Sequence, residues 1–171
     1  FETNGLSICE APSLQFSPVV RKDNNGGAFT VWGDSRTGSI DLFVNHVDAT
    51  GTTFEIDGLD TFVGMDGNAI NLNSLYLGND RTLLYWEDLR SGGENPRVYG
   101  QIVHPGFDPI SGLNGVLLGD NPIQTNPQAI LMGENIFFNF ITHGEWGEIQ
   151  QYYLVLDSDL NAIGDINGNI V

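Results

Sequence analysis

The stretch Thr30-Val31-Trp32-Gly33-Asp34-Ser35-Arg36-Thr37-Gly38 returns as Leu84-Tyr85-Trp86-Glu87-Asp88-Leu89-Arg90-Ser91-Gly92, with the two tryptophans 54 residues apart. A further step of the same length lands on Phe140, inside Phe137-Phe138-Asn139-Phe140-Ile141-Thr142, where the aromatic is kept and the charges are gone. A unit of about 50 residues cannot hide its apolar face alone, so copies of it must stack against one another. That restricts the chain to a repeat architecture.

Each copy breaks into four short runs. The first lies at 15–20, 68–72 and 124–130, and ends in polar turns, Asp23-Asn24-Asn25-Gly26-Gly27, Gly78-Asn79-Asp80 and Gly133-Glu134-Asn135, whose residues tolerate tight reversals. The second, at 28–32, 82–86 and 136–141, is apolar and predicts strands buried on both faces. The third, at 40–47, 98–103 and 151–156, mixes apolar and polar residues and predicts half-exposed strands. The fourth occurs four times, at 1–6, 54–59, 113–116 and 167–170. No segment carries a sustained 3.6-residue apolar period, so helices are not expected.

Four antiparallel strands per copy with an aromatic in the second predicts an all-β chain of β-propeller blades: three four-stranded antiparallel repeats plus an extra terminal strand. The boundaries follow as 1–14 for a strand of a preceding blade, then blades at 15–67, 68–123 and 124–171. A β-sandwich gives no reason for self-similarity at this period. Propellers close with about four to eight blades, so three blades predict part of a larger propeller, or a ring completed by missing blades, a second copy or a partner chain.

The Trp-x-Asp-x-Arg-x-Gly motif, preceded by Gln15-x-x-Pro18 and a glycine-rich turn and followed by a strand ending in Asp48-Ala49-x-Gly51, resembles the blade repeats of extracellular bacterial β-propeller proteins. Residues 15–51 match it well; 68–104 keep Trp86, Asp88, Arg90 and Gly92 without the Gln-Pro start; 124–157 keep Gln124 and Pro127 but not the central motif. The resemblance implies export and use at the cell surface or outside the cell, without implying one activity.

With 22 acidic and 6 basic residues the net charge is −16, and Lys22 is the only lysine. Such a surface is ill suited to nucleic acid, whose binding depends on basic groups displacing counterions, and to anionic membranes. A calcium-bearing or saline exterior suits it better. Cys9 is the single cysteine, so no intrachain disulfide forms. No apolar run reaches the length of a membrane span and no secretory leader is present, so an export signal is expected to have been removed or to lie outside this sequence. Asn-x-Ser/Thr sequons are absent, which favours a bacterial origin.

Because Trp32, Asp34, Arg36, Gly38, Trp86, Asp88, Arg90, Gly92 and Phe140 repeat, they are expected to build each blade; a catalytic group is needed once. The carboxylates should accept turn N–H groups, and the guanidiniums should reach an aromatic ring or a carbonyl. Outside the repeat, His143, Glu145, Trp146 and Tyr152 are the candidate glycan or ligand contacts, since aromatic faces in polar loops suit sugar stacking. Asp157-x-Asp159-x-Asn161, with Asp165, offers alternating oxygens for calcium, although Ala162 and Gly168 stand where an EF-hand needs glycine and glutamate. His46, His104 and His143 form no zinc pattern. The expected function is a non-catalytic exported scaffold binding a protein or glycan. The alternatives are a piece of a propeller-fold glycan hydrolase, which needs a carboxylate pair, and a component of a surface or secretion assembly completed by a partner chain.

Overall fold

Alternation of apolar and polar residues in runs of seven to ten makes strands, and the polar turns between them fold each run back on the last. The computed structural model describes residues 5–23, 26–60, 69–90, 95–104, 114–120, 123–143, 147–165 and 169–170. Twelve strands and no helix occur among them. β1 (Gln15–Lys22), β2 (Ala28–Asp34), β3 (Asp41–Val47) and β4 (Leu59–Asp60) form the first sheet. β5 (Ala69–Gly78), β6 (Arg81–Asp88), β7 (Arg97–Val103) and β8 (Val116–Leu117) form the second, and β9 (Thr125–Met132), β10 (Asn135–His143), β11 (Ile149–Leu156) and β12 (Asn169–Ile170) the third. All pairings are antiparallel between strands consecutive in the chain.

The three sheets pack face to face, with β5 lying beside both β1 and β9. Leu84 and Trp86 meet Phe29, Val31, Leu42 and Val44 in the first seam. On the opposite face of β6, Leu83 and Tyr85 meet Ile136, Phe138, Phe140 and Leu154 in the second. This two-sided burial follows from the period of two: successive residues of the middle sheet face different neighbours. Accordingly β2 and β6 are buried on both faces, whereas β10 is buried only at alternate positions, contrary to the expectation for that strand. Its other face, with Phe137 stacked on Tyr153 at 5.3 Å, has no further sheet against it among the described residues. β3 and β7 are correspondingly more buried than half-exposed strands should be.

The fourth strand of the first sheet is shorter than the sequence suggests, and that of the second lies at the end of its expected run. Residues 54–58 form a bend and turn and only Leu59–Asp60 pair, because Asp57 and Gly58 both take positive φ. Of the extra terminal strand expected at the start, residues 1–4 lie outside the described residues, and 5–14 contain no strand. They lie instead over the first sheet: Asn45 Nδ2 donates to the Ile8 carbonyl at 3.2 Å and to the Glu55 carbonyl at 2.7 Å.

Candidate functional site

Two of the five buried carboxylates among the described residues, Asp34 and Asp88, belong to the repeat. In the first sheet Trp32 Nε1 donates to Asp34 Oδ2 at 3.1 Å, the Arg36 backbone N–H donates to Asp34 Oδ1 at 2.9 Å, and the Arg36 guanidinium reaches Oδ2 at 2.5 Å. The second sheet repeats the set with Trp86, Asp88 and Arg90 at 2.9, 2.7 and 2.5 Å. Each guanidinium also lies over a ring, Arg36 over Phe43 and Arg90 over Tyr99, and donates to a turn carbonyl, that of Asp57 or Asn114. Burial works against ionisation of Asp34, but hydrogen bonds from Arg36 and Trp32 and the guanidinium charge outweigh it and hold the pKa below its ordinary 3.8. Gly38 occupies the turn after the first motif with φ +99°; Gly92 lies outside the described residues.

In the third sheet Phe140 pairs with Tyr152 and stacks on it at 6.2 Å, as Trp32 pairs and stacks with Phe43 at 6.3 Å and Trp86 with Tyr99 at 6.4 Å. Tyr152 therefore holds a repeated position, which corrects its reading as a residue outside the pattern. Its hydroxyl donates to Gln150 Oε1. His143 is exposed at the end of β10, while Glu145 and Trp146 lie outside the described residues.

The proposed calcium ligands do not converge on one point. Asp157 accepts from the Asn161 side-chain amide at 3.0 Å and, through Oδ1, from the N–H groups of Asn161 and Asp159 at 2.9 Å each, and these bonds, the side-chain one foremost, lower its pKa. Asp48 closes the corresponding turn of the first sheet in the same way through Thr50 and Thr52. Asp159 faces Arg81 at 3.6 Å. Among the described residues no three His, Cys, Asp or Glu side chains are grouped to hold a metal ion.

A different set of residues does converge. Each innermost strand carries one extra residue at the same place: Phe16 pairs with Gly33 and Val19 with Val31; Ile70 pairs with Glu87 and Asn73 with Tyr85; Thr125 pairs with Ile141 and Gln128 with Asn139. These are β-bulges, and the first bulged residue of each, Ser17, Asn71 and Asn126, has φ of 52°, 53° and 51°. Asparagine tolerates that left-handed conformation better than most residues. Pro18 and Pro127 follow where a bulge leaves no ladder N–H to be lost. Because β1, β5 and β9 lie side by side, the three bulges face one cleft of about 400 Å³, lined by Ser17, Pro18 and Val19, by Asn71, Leu72 and Asn73, and by Asn126, Pro127 and Gln128. Its polar side chains are carboxamides and one hydroxyl, and among the described residues no charged side chain lines it.

Under the cleft lies Glu87, only 3% exposed. Its Oε1 accepts from Asn71 Nδ2 at 2.9 Å and from the Asn126 backbone N–H at 2.8 Å, tying the bulge of the second sheet to that of the third. The equivalent position is Gly33 in the first sheet, where the Phe16 ring lies against the glycine, and Ile141 in the third. The sequence reading missed the bulges and Glu87 alike. The signal for the former was an Asn or Ser at the same place in each first strand, followed by a proline in the first and third copies but by Leu72 in the second.

No family model and no curated protein sequence matches the chain. Among solved structures, a candidate glycoside hydrolase from Parabacteroides distasonis is similar at 17% identity, over 92% of this chain and 54% of that one, with a TM-score of 0.52. A candidate glycosidase from Bacteroides thetaiotaomicron is similar at 12% identity, over 91% and 54%, with a TM-score of 0.51. The chain thus spans about half the length of these structures and shares their fold over nearly all of its own.

Proposed function

We propose that this chain is a portion of a β-propeller that acts on carbohydrate outside the cell, its inner-strand cleft contacting a neutral sugar. The observation that carries this reading is the meeting of three equivalent bulges, one from each sheet, at a single polar and uncharged cleft. Sugar hydroxyls both donate and accept, and carboxamides offer both functions in fixed geometry. The likeness to two structures described as glycoside hydrolases points to the same substrate class. On this reading the sheets are blades, the outer face of the third sheet receives a further blade, and the carboxylate pair needed for hydrolysis stands elsewhere on the ring.

The scaffold residues favour a second reading, a carbohydrate-binding portion without a catalytic pair, because Asp34 and Asp88 are spent on the tryptophan and arginine beside them. Calorimetric titration with neutral cello-, xylo-, arabino- and manno-oligosaccharides, with oligogalacturonate for comparison, tests the shared claim. Binding of a neutral oligosaccharide, weakened at least tenfold in Asn73→Ala/Gln128→Ala, is expected. Failure of all four series to bind, or binding indifferent to those substitutions, overturns it. Release of reducing ends from the bound series distinguishes hydrolysis from binding alone.

A further inference from the structure

Of the five buried carboxylates among the described residues, Glu87 is the one the scaffold does not explain. Asp34 and Asp88 close their own turns, Asp41 accepts from the Thr37 and Ser39 hydroxyls of the turn before it, and Asp23 accepts from Gly27 within its hairpin and meets His46 Nε2 at 2.8 Å. Glu87 belongs to no turn. It sits at the variable position between Trp86 and Asp88, and its only counterparts are a glycine and an isoleucine. We infer that Glu87 is a positioning residue that fixes which end of the Asn71 carboxamide the cleft presents to a sugar hydroxyl. This rests on the carbohydrate reading above and adds the polarity of one contact.

The chemistry follows from the two hydrogen bonds on Oε1. Both partners are donors, the Asn71 amide and a backbone N–H, so that oxygen acts as an acceptor toward both. A carboxamide has a donor end and an acceptor end. With one N–H of Nδ2 given to Glu87, the end of exposed Asn71 turned away from that carboxylate is Oδ1, an acceptor. A ligand atom meeting Oδ1 must therefore donate, which a hydroxyl does and an ether oxygen does not. The second bond, to the Asn126 N–H, holds the facing bulge in register, so the two asparagines keep one spacing. Across the first seam Gly33 can supply no such link, and a gap of about 210 Å³ opens there between Phe16 and Ile70.

The test uses the full protein and the tightest neutral oligosaccharide of the titration. Both bonds fall on one oxygen, so Glu87→Gln, with its carboxamide oxygen in the place of Oε1, keeps both and should bind within about twofold of the wild type. Glu87→Met keeps the length but offers no oxygen, so the Asn71 carboxamide is released and can turn its donor end to the cleft. Affinity is expected to fall roughly three- to tenfold in Glu87→Met, the worth of one neutral hydrogen bond. Asn71→Asp, at an exposed position, should lose affinity likewise, since it cannot donate to Glu87. A side chain that only filled space would be replaced by methionine without loss. The Asn71 side-chain NH₂ resonance, identified by its loss in Asn71→Ala, should move further in Glu87→Met than in Glu87→Gln, with or without sugar. If the wild type binds and Glu87→Met binds equally well, or Glu87→Gln binds no better than Glu87→Met, the inference fails and the carbohydrate reading stands. If the wild type binds no neutral oligosaccharide, both fail, even if the resonance shifts.

Discussion

In the second sheet the inner aromatic is Trp86, whose indole N–H is held by Asp88; in the third it is Phe140, which has no N–H to hold. Around this one difference the rest sorts itself. The second sheet has a carboxylate at 0% exposure, which must have donors, and the indole, a turn N–H and Arg90 supply them. The third has Thr142 in the carboxylate's place and Gly144 in the arginine's. The ring stack survives in both, Trp86 on Tyr99 and Phe140 on Tyr152. Packing of the aromatic is therefore the common requirement, and the polar clasp is an addition whose three members are kept or lost together, since each would leave another buried and unsatisfied.

Removing the rings should break the comparison by making the two sheets behave alike. Trp86→Ala and Phe140→Ala each empty a fully buried site and are expected to destabilise by about 3–5 kcal/mol in urea unfolding. A loss below about 1 kcal/mol at Phe140 would mean that its stack is not part of the shared architecture. Removing the clasp should instead separate the sheets. Asp88→Ala leaves the Trp86 N–H and the Arg90 guanidinium without their acceptor and should cost about 3 kcal/mol. Thr142→Ala at the matching place should cost under about 1 kcal/mol. Equal losses at the two positions would contradict a separable clasp.

A smaller effect comes from the turn beneath the ring. Gly115 has φ +72°, and a Cβ there would come within 2.5 Å of Trp86 Cη2; Gly58 stands in the same relation to Trp32 at 2.4 Å. Gly115→Ala should cost about 1–3 kcal/mol, from left-handed strain and a displaced indole. Paired with Trp86→Phe it should cost less, because the shorter ring leaves room for the methyl group. Additive losses would show that strain alone is responsible.

How much of this could be read from the sequence depends on how rigidly each contact fixes spacing. The tryptophan, aspartate and arginine sit within five residues of one another on one strand and its turn, so their recurrence is visible directly. The ring partner lies across a loop of variable length, 11 residues from Trp32 to Phe43, 13 from Trp86 to Tyr99 and 12 from Phe140 to Tyr152, which concealed Tyr152 as a repeated residue. The fourth strands of the first two sheets are displaced from their expected places because their most conspicuous residues, Asp57-Gly58 and Asn114-Gly115, make the turn that receives the ring, leaving two-residue strands behind it. Glu87 was hidden for another reason. It occupies a position the repeat leaves free, and its meaning comes from Asn126, 39 residues away on another sheet.

The smallest effect is one of pH, and it isolates the clasp of the first sheet. The Asp34 pKa lies below its ordinary 3.8 in the folded protein, so the unfolded chain takes up the proton first as pH falls. The stability Asp34 contributes is fully present above about pH 5 and fades as pH drops from there through its folded value. Asp48 and Asp157 are lowered as well and steepen the acid limb of the wild type. Comparing wild type with Asp34→Asn cancels them, since both proteins carry those turns unchanged. The difference in unfolding free energy between the two should be constant from about pH 7 to pH 5 and shrink steadily toward about pH 2. A difference that stays flat over the whole range would mean that Asp34 holds Trp32 and Arg36 equally well with its proton on. The clasp would then be a set of neutral hydrogen bonds, and the third sheet would have lost no charge pairing worth the name.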